Sequence, residues 1–208
     1  MPTPDFDLYL VTDRSLTQGH DLLWVLQQAL DGGVKAIQLR EKDLGGRELF
    51  FLAEAARKLT QRYHARLLIN DRIDLALAVD ADGVQLGKAS LPIETARALL
   101  GPRKLLGAST HSLDEAAEAE RNGADFVLFG PVYFTPSKAS YGSPQGLAAL
   151  KKVVEKLSLP IYAIGGIKPE NIADACRTGV QGVALISAIM SAADPKDETK
   201  KILNLLKG

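Results

Sequence analysis

Cysteine is nearly absent from this chain. Cys176 stands alone among 208 residues, so no internal disulfide framework exists and a reducing compartment is expected. Aromatic residues are scarce, at 6%, and no linker or low-complexity tract interrupts the sequence. An excess of either charge is missing too. The 25 Lys and Arg balance the 25 Asp and Glu, which leaves no basic field to hold a nucleic acid or an anionic membrane. Any phosphate recognition must therefore be local. The longest uncharged stretch, Thr178 to Ala193, is broken by glycine, glutamine and serine. It falls short of the ~20 apolar residues that a membrane span needs. Met1-Pro2-Thr3-Pro4-Asp5 holds no basic segment followed by an apolar one, so no signal peptide is expected and the protein is expected to be soluble and cytoplasmic.

What the sequence does hold is a repeated alternation. With 46% hydrophobic residues it can bury one substantial core, and a single domain over residues 1–208 is expected. Short β-branched and aliphatic runs appear eight times: Leu8–Thr12, Ala36–Leu39, Leu67–Ile69, Val84–Leu86, Leu105–Ala108, Phe126–Phe129, Ile161–Ile164 and Val183–Ile186. Between them lie stretches with helical spacing, such as Leu22, Val25, Leu26, Ala29 and Leu30, or Leu49, Leu52, Ala53, Ala56 and Leu59. Ser112 is placed to cap a helix start, Gly123 and Gly179 to end helices, and Pro92 and Pro169 to sit in first turns. Strand alternating with helix eight times predicts an α/β fold, a single (β/α)8 TIM barrel near the lower size limit of that architecture. A doubly wound open sheet is the rival. It is disfavoured because the first strand-to-helix turn, Thr12-Asp13-Arg14-Ser15, lacks the glycine fingerprint of dinucleotide-binding sheets.

In such barrels the reactive groups come from the C-terminal ends of the strands and the loops that follow. After strand two, Gln38 and Arg40 share one face by the two-residue period, and Lys42 follows. Arginine offers a planar donor fork and lysine a mobile point charge, so Arg40 with Lys42 makes a candidate anion clamp. Strand three ends in Asn70-Asp71-Arg72. Asp71 is a candidate Mg²⁺ ligand, since that ion is held by one or two carboxylates plus substrate phosphates; capping of the next helix is the alternative. Past strand five stand Ser109, a hydroxyl donor, and His111, an acid/base candidate whose structural reading is the commoner one. Strand six leads into the longest loop, where Thr135, Ser137 and Lys138 offer two hydroxyls and a cation. Gly165-Gly166 after strand seven and Ile186-Ser187 after strand eight occupy the places where this fold cradles phosphate with backbone amides.

Taken together, these residues resemble the thiamine phosphate synthase family, which also contains related thiazole tautomerases. The resemblance spans nearly the whole chain. Its motifs are Gln38-Leu39-Arg40-Glu41-Lys42, Ile69-Asn70-Asp71-Arg72, Asp82-Gly83-Val84-Gln85-Leu86-Gly87, Gly130-Pro131-Val132 with Thr135-Pro136-Ser137-Lys138, Gly165-Gly166-Ile167 and Ile186-Ser187-Ala188-Ile189. It implies an enzyme, a transferase, that joins an aminopyrimidine methyl diphosphate to a thiazole phosphate, giving thiamine phosphate and diphosphate. By the same resemblance Gln38, Arg40, Lys42, Asn70, Ser109 and Lys138 hold the diphosphate and Asp71 binds Mg²⁺. Thr135, Ser137, Gly166 and the Ile186-Ser187 backbone hold the thiazole phosphate, with Arg40, Lys42, Ser109 and Lys138 carrying the catalysis. Charge building on the leaving diphosphate is what those cations would stabilise.

Two positions depart from the pattern. Ser90 stands where the synthases usually place a second metal-binding aspartate, with Lys88 nearby as a substitute cation, and Gln85 stands where histidine is frequent. Two alternatives therefore stay open: a thiazole tautomerase, and a non-catalytic protein that binds thiamine precursors. Pro131, where related tautomerases carry histidine, favours the synthase. A homodimer is the base-rate expectation for a symmetric soluble enzyme.

Overall fold

The computed structural model describes residues 2–135 and 143–207. Eight parallel strands close into a barrel in sequence order: β1 (Leu8–Val11), β2 (Ala36–Leu39), β3 (Arg66–Asn70), β4 (Gly83–Leu86), β5 (Leu105–Thr110), β6 (Phe126–Phe129), β7 (Ile161–Ile164) and β8 (Gly182–Leu185). The ring closes through β1 and β8, where Tyr9 pairs with Ala184. Around it lie α1 (Leu22–Gly32), α2 (Gly46–Arg62), α3 (Ile73–Ala78), α4 (Ile93–Leu100), α5 (Leu113–Arg121), α6 (Gly146–Lys156), α7 (Ile172–Cys176), α8 (Ser187–Met190) and α9 (Pro195–Lys207). The (β/α)8 expectation is met.

The strands separate two apolar regions by the alternation of the pleat. Leu8, Leu10, Ile37, Leu39, Leu67 and Ile69 face outward and pack under the helices. Tyr9, Val11, Ala36, Leu68, Leu105, Phe126, Leu128, Tyr162 and Ala184 fill the barrel, floored by Phe6. The Tyr162 hydroxyl donates to the Phe6 carbonyl at 2.7 Å, and the two rings stack at 5.0 Å. The helices bury the stripes their spacing predicts: Leu22, Val25, Leu26, Ala29 and Leu30 are all buried in α1. Asp21 caps this helix, accepting from the amides of Leu23 and Trp24 at 2.9 and 3.2 Å, and Ser112 caps α5 by accepting from the Glu115 amide at 3.1 Å. The C-terminal helix α9 lies across α1 at Gly32, where a methyl group would stand 2.6 Å from the Lys196 carbonyl oxygen.

Small corrections have local causes. Pro92 caps α4 rather than entering its first turn, and Pro169 lies in the turn before α7. Strand β5 runs on through Ser109 and Thr110, because their backbones still pair with Leu128 and Phe129 although their side chains are polar. Cys176, the lone cysteine, is half-buried at the end of α7.

Candidate active site

The interior parity that places Val11, Leu68 and Leu128 inside the barrel places Gln38, Asn70, Gln85 and Ser109 inside it one layer higher, at the C-terminal rim. They are hydrogen-bonded to one another. Gln38 Nε2 donates to Asn70 Oδ1 at 3.0 Å, linking β2 to β3, and Gln85 Nε2 donates to Ser109 Oγ at 3.0 Å, linking β4 to β5. Gln85 fits only because its neighbour on β5 is glycine: a methyl at Gly107 would stand 2.2 Å from Gln85 Oε1.

Asp71 leaves β3 with φ +62°, the left-handed region that Asp tolerates better than most residues. That conformation turns its carboxylate sideways along the rim. Asn70 Nδ2 donates to Asp71 Oδ2 at 3.1 Å, and the Ser90 hydroxyl donates to Asp71 Oδ1. Ser90 Oγ in turn accepts from the Gly87 amide at 2.6 Å. Asp71 does not cap α3, whose N-cap is Arg72 with no side-chain cap bond. One continuous polar chain thus runs from Gln38 through Asn70 and Asp71 to Ser90.

The segment that follows β2 carries two cations. Arg40 is half-buried and Lys42 exposed, and neither side chain has a hydrogen bond or ion pair among the described residues. Lys88, the expected substitute cation, is instead drawn to Glu115, at 3.7 Å. Glu115 also accepts from the His111 amide at 2.7 Å and lies 3.2 Å from its ring Nδ1. Burial alone would raise the Glu115 carboxyl, but the His111 contacts and Lys88 outweigh it and hold it below its ordinary value. His111 therefore has the anchoring partner its structural reading requires.

On the opposite side of the mouth, Gly165 and Gly166 have φ of +92° and +67°. The sequence places this pair where the fold cradles phosphate with backbone amides. The structure supplies a local cause for the glycines, since a methyl on Gly166 would stand 2.6 Å from the Phe134 carbonyl oxygen and one on Gly165 2.6 Å from Pro131 Cα. The glycines let the loop after β6 lie against the loop after β7, sealed by the bonds from Val132 N to Ile164 O at 2.9 Å and from Tyr133 N to Gly165 O at 3.0 Å. Thr135 belongs to the described part of that loop, while Ser137 and Lys138 lie outside the described residues. Ile186 is the N-cap of α8 and Ser187 its first residue, so the first amides of that helix have no intrahelical acceptors.

For Mg²⁺ the donor set fits a shared site. No group of three or more His, Cys, Asp or Glu able to hold a metal occurs among the described residues. One exposed rim carboxylate, Asp71, is what an ion that keeps its waters and binds substrate phosphates requires.

The chain is thus a closed parallel (β/α)8 barrel with a hydrogen-bonded polar rim at the C-terminal ends of its strands. The chain belongs to the thiamine monophosphate synthase family, whose pattern it matches over residues 8–189. It is 52% identical over 206 residues to a putative thiamine-phosphate synthase of Geobacter sulfurreducens, covering 99% of this chain and 97% of that one. It is 44% identical to the thiamine-phosphate synthase of Clostridium novyi, covering 97% and 98%. Among solved structures, thiamine phosphate pyrophosphorylase from Pyrococcus furiosus superposes with a TM-score of 0.89 at 42% identity, over 97% of this chain and 96% of that one.

Proposed function

We propose that the protein is a thiamine-phosphate synthase that couples an aminopyrimidine methyl diphosphate to a thiazole phosphate and releases diphosphate. The observation that carries the reading is the polar chain from Gln38 to Ser90, with Arg40 and Lys42 in the segment that follows β2. Hydrogen-bonded neighbours fix the donors in advance, so little reorganisation is needed when charge develops on the leaving group. Arg40, Lys42, Gln38, Asn70 and Ser109 take the diphosphate oxygens in this reading, with Lys138 as a further cation. Asp71, with Ser90 hydrogen-bonded to it, holds Mg²⁺. When bound, that ion neutralises diphosphate charge and makes it a better leaving group. Thr135, Ser137, the Gly166 amide and the backbone at Ile186 and Ser187 take the thiazole phosphate. No protein nucleophile is required, because the electron-rich pyrimidine carries the cationic character as the methylene–oxygen bond breaks. In this reading the enzyme acts on small phosphorylated substrates in the cytoplasm, as a homodimer.

The test is to incubate purified protein with both precursors and Mg²⁺ and to quantify products. Thiamine phosphate and diphosphate in equal amounts are expected. Neither product, in the presence of an active control enzyme, overturns the reading. Metal-independent proton exchange on a thiazole carboxylate phosphate would point to the tautomerase instead.

A further inference from the structure

Glu41 sits between the two cations of the anion clamp, where a carboxylate should repel the diphosphate. It is turned away from the mouth and buried, with its side chain 2% exposed. A buried carboxylate must be paired, and this one has three donors. Thr12 Oγ donates to Glu41 Oε1 at 2.6 Å, and the Arg14 amide and Nη1 reach Oε2 at 3.1 and 3.4 Å. The Thr12 hydroxyl is used twice, because it also accepts from the Arg40 amide at 2.9 Å. Thr12 N donates to the Gln38 carbonyl at 3.0 Å, so the end of β1 grips the chain on both sides of Leu39. Arg14 is fastened further by Asp43, at 2.5 Å, and the 3-10 helix Arg14–Leu16 packs against α8, which begins at Ser187.

We infer that Thr12 and Glu41 are positioning residues: their buried hydrogen bond fixes the main chain at Arg40 and so aims its guanidinium at the anion. This rests on the proposed diphosphate site. The physical reason is that Arg40 follows the last residue of β2, where ladder bonds no longer hold the backbone, and an arginine has many rotamers to lose. A fork of donors on a free loop would bind diphosphate weakly; one whose backbone is tied to the neighbouring strand is preorganised. Because Arg14 carries the same clasp to α8, the two expected phosphate sites are held at a fixed separation.

The test is a double-mutant cycle read by calorimetric titration of inorganic diphosphate with Mg²⁺. Thr12→Val keeps the shape and removes the hydroxyl, and it is expected to weaken binding by about tenfold to a hundredfold, the scale of a misplaced contact. Thr12→Ser restores the hydroxyl and should restore affinity. In an Arg40→Ala background Thr12→Val should cost little more, since the residue it positions is gone. Glu41→Gln carries the same cycle should Thr12→Val fold poorly. Equal losses with and without Arg40 would assign Thr12 and Glu41 to general stability and overturn the inference while leaving the proposed function standing. Absence of diphosphate binding by the unsubstituted protein would overturn both.

Discussion

Ser90 donates its hydroxyl to the carboxylate of Asp71 while accepting the Gly87 amide, so the loop after β4 is tied to the end of β3 through one serine. A hydroxyl here satisfies the carboxylate without adding charge. Ser90→Asp would set two carboxylates side by side, raising the proton affinity of the pair and favouring a divalent cation between them. We expect the Mg²⁺ concentration for half-maximal activity to fall by about tenfold, equivalent to ~1.4 kcal/mol of metal binding. The metal-free variant should melt lower than the unsubstituted protein. An unchanged Mg²⁺ titration would place Ser90 outside the metal's reach.

Gly166 carries the contact between the loops after β6 and β7. Gly166→Ala adds a left-handed penalty of roughly 1–2 kcal/mol to a methyl placed 2.6 Å from the Phe134 carbonyl oxygen. The loop after β6 must shift, so KM for the thiazole phosphate should rise more than KM for the pyrimidine diphosphate. Steady-state kinetics with each substrate varied in turn would check this. Equal effects on both would mean that the two loops do not form a separate thiazole phosphate site.

At the base of the barrel, Asp125 is wholly buried at its side chain and pairs with Arg97 at 2.5 Å. It also accepts from the Leu106 amide at 2.8 Å. Asp125→Ala strands the Leu106 amide, while Arg97 keeps the carbonyls of Gly101, Lys104 and Gly123, and a loss of about 1–3 kcal/mol in unfolding free energy is expected from urea titration. Turnover per folded molecule should be unchanged, because these residues lie at the opposite end from the rim.

Acid should unfold the protein through exposed carboxylates that are held in their charged form. The Arg66 guanidinium lowers the Asp5 carboxyl, and that of Arg72 lowers Asp74. Together with Glu115, these groups bind fewer protons folded than unfolded. Their contribution is present above their ordinary values of 3.8 and 4.5 and is lost as pH falls through the folded ones. Asp125 works the other way. Burial raises its carboxyl despite the Leu106 amide and Arg97, so its contribution is present below 3.8 and fades as pH rises. Arg14 lowers Asp43 and Lys104 lowers Asp80 in the same way, so five carboxylates against one predict a urea midpoint that falls from pH 5 to pH 3, with a shallower fall in Glu115→Gln. A midpoint that rises over that interval would contradict the assignment.

The barrel was legible because each strand core is a short, mostly aliphatic or aromatic run, entered by a polar side chain in its middle only where that residue faces the barrel interior, as at Gln38 and Gln85. The ends were harder where polar residues keep pairing, as at Ser109 and Thr110, or where glycine does, as at Gly182 beneath the Asp7 carbonyl. At the rim, parity alone puts Gln38 and Arg40 on one face, and Gln38 hydrogen-bonds to Asn70 on the neighbouring strand. The clasp of Thr12 and Glu41 was not legible. Its partners are 29 residues apart, just past the ends of different strands, and a glutamate between two cations reads as a solvated charge run. Its one local signal is Thr12 at the polar end of an apolar run. The sideways turn of Asp71 was hidden for a similar reason, since nothing in Asn70-Asp71-Arg72 announces a positive φ.

The most direct measurement is a crystal structure with diphosphate and Mg²⁺ bound. Diphosphate oxygens should lie within hydrogen-bonding distance of the Arg40 guanidinium and the Asn70 and Ser109 side chains, with the ion on Asp71. Diphosphate bound elsewhere, or Arg40 turned away from it, would contradict the account.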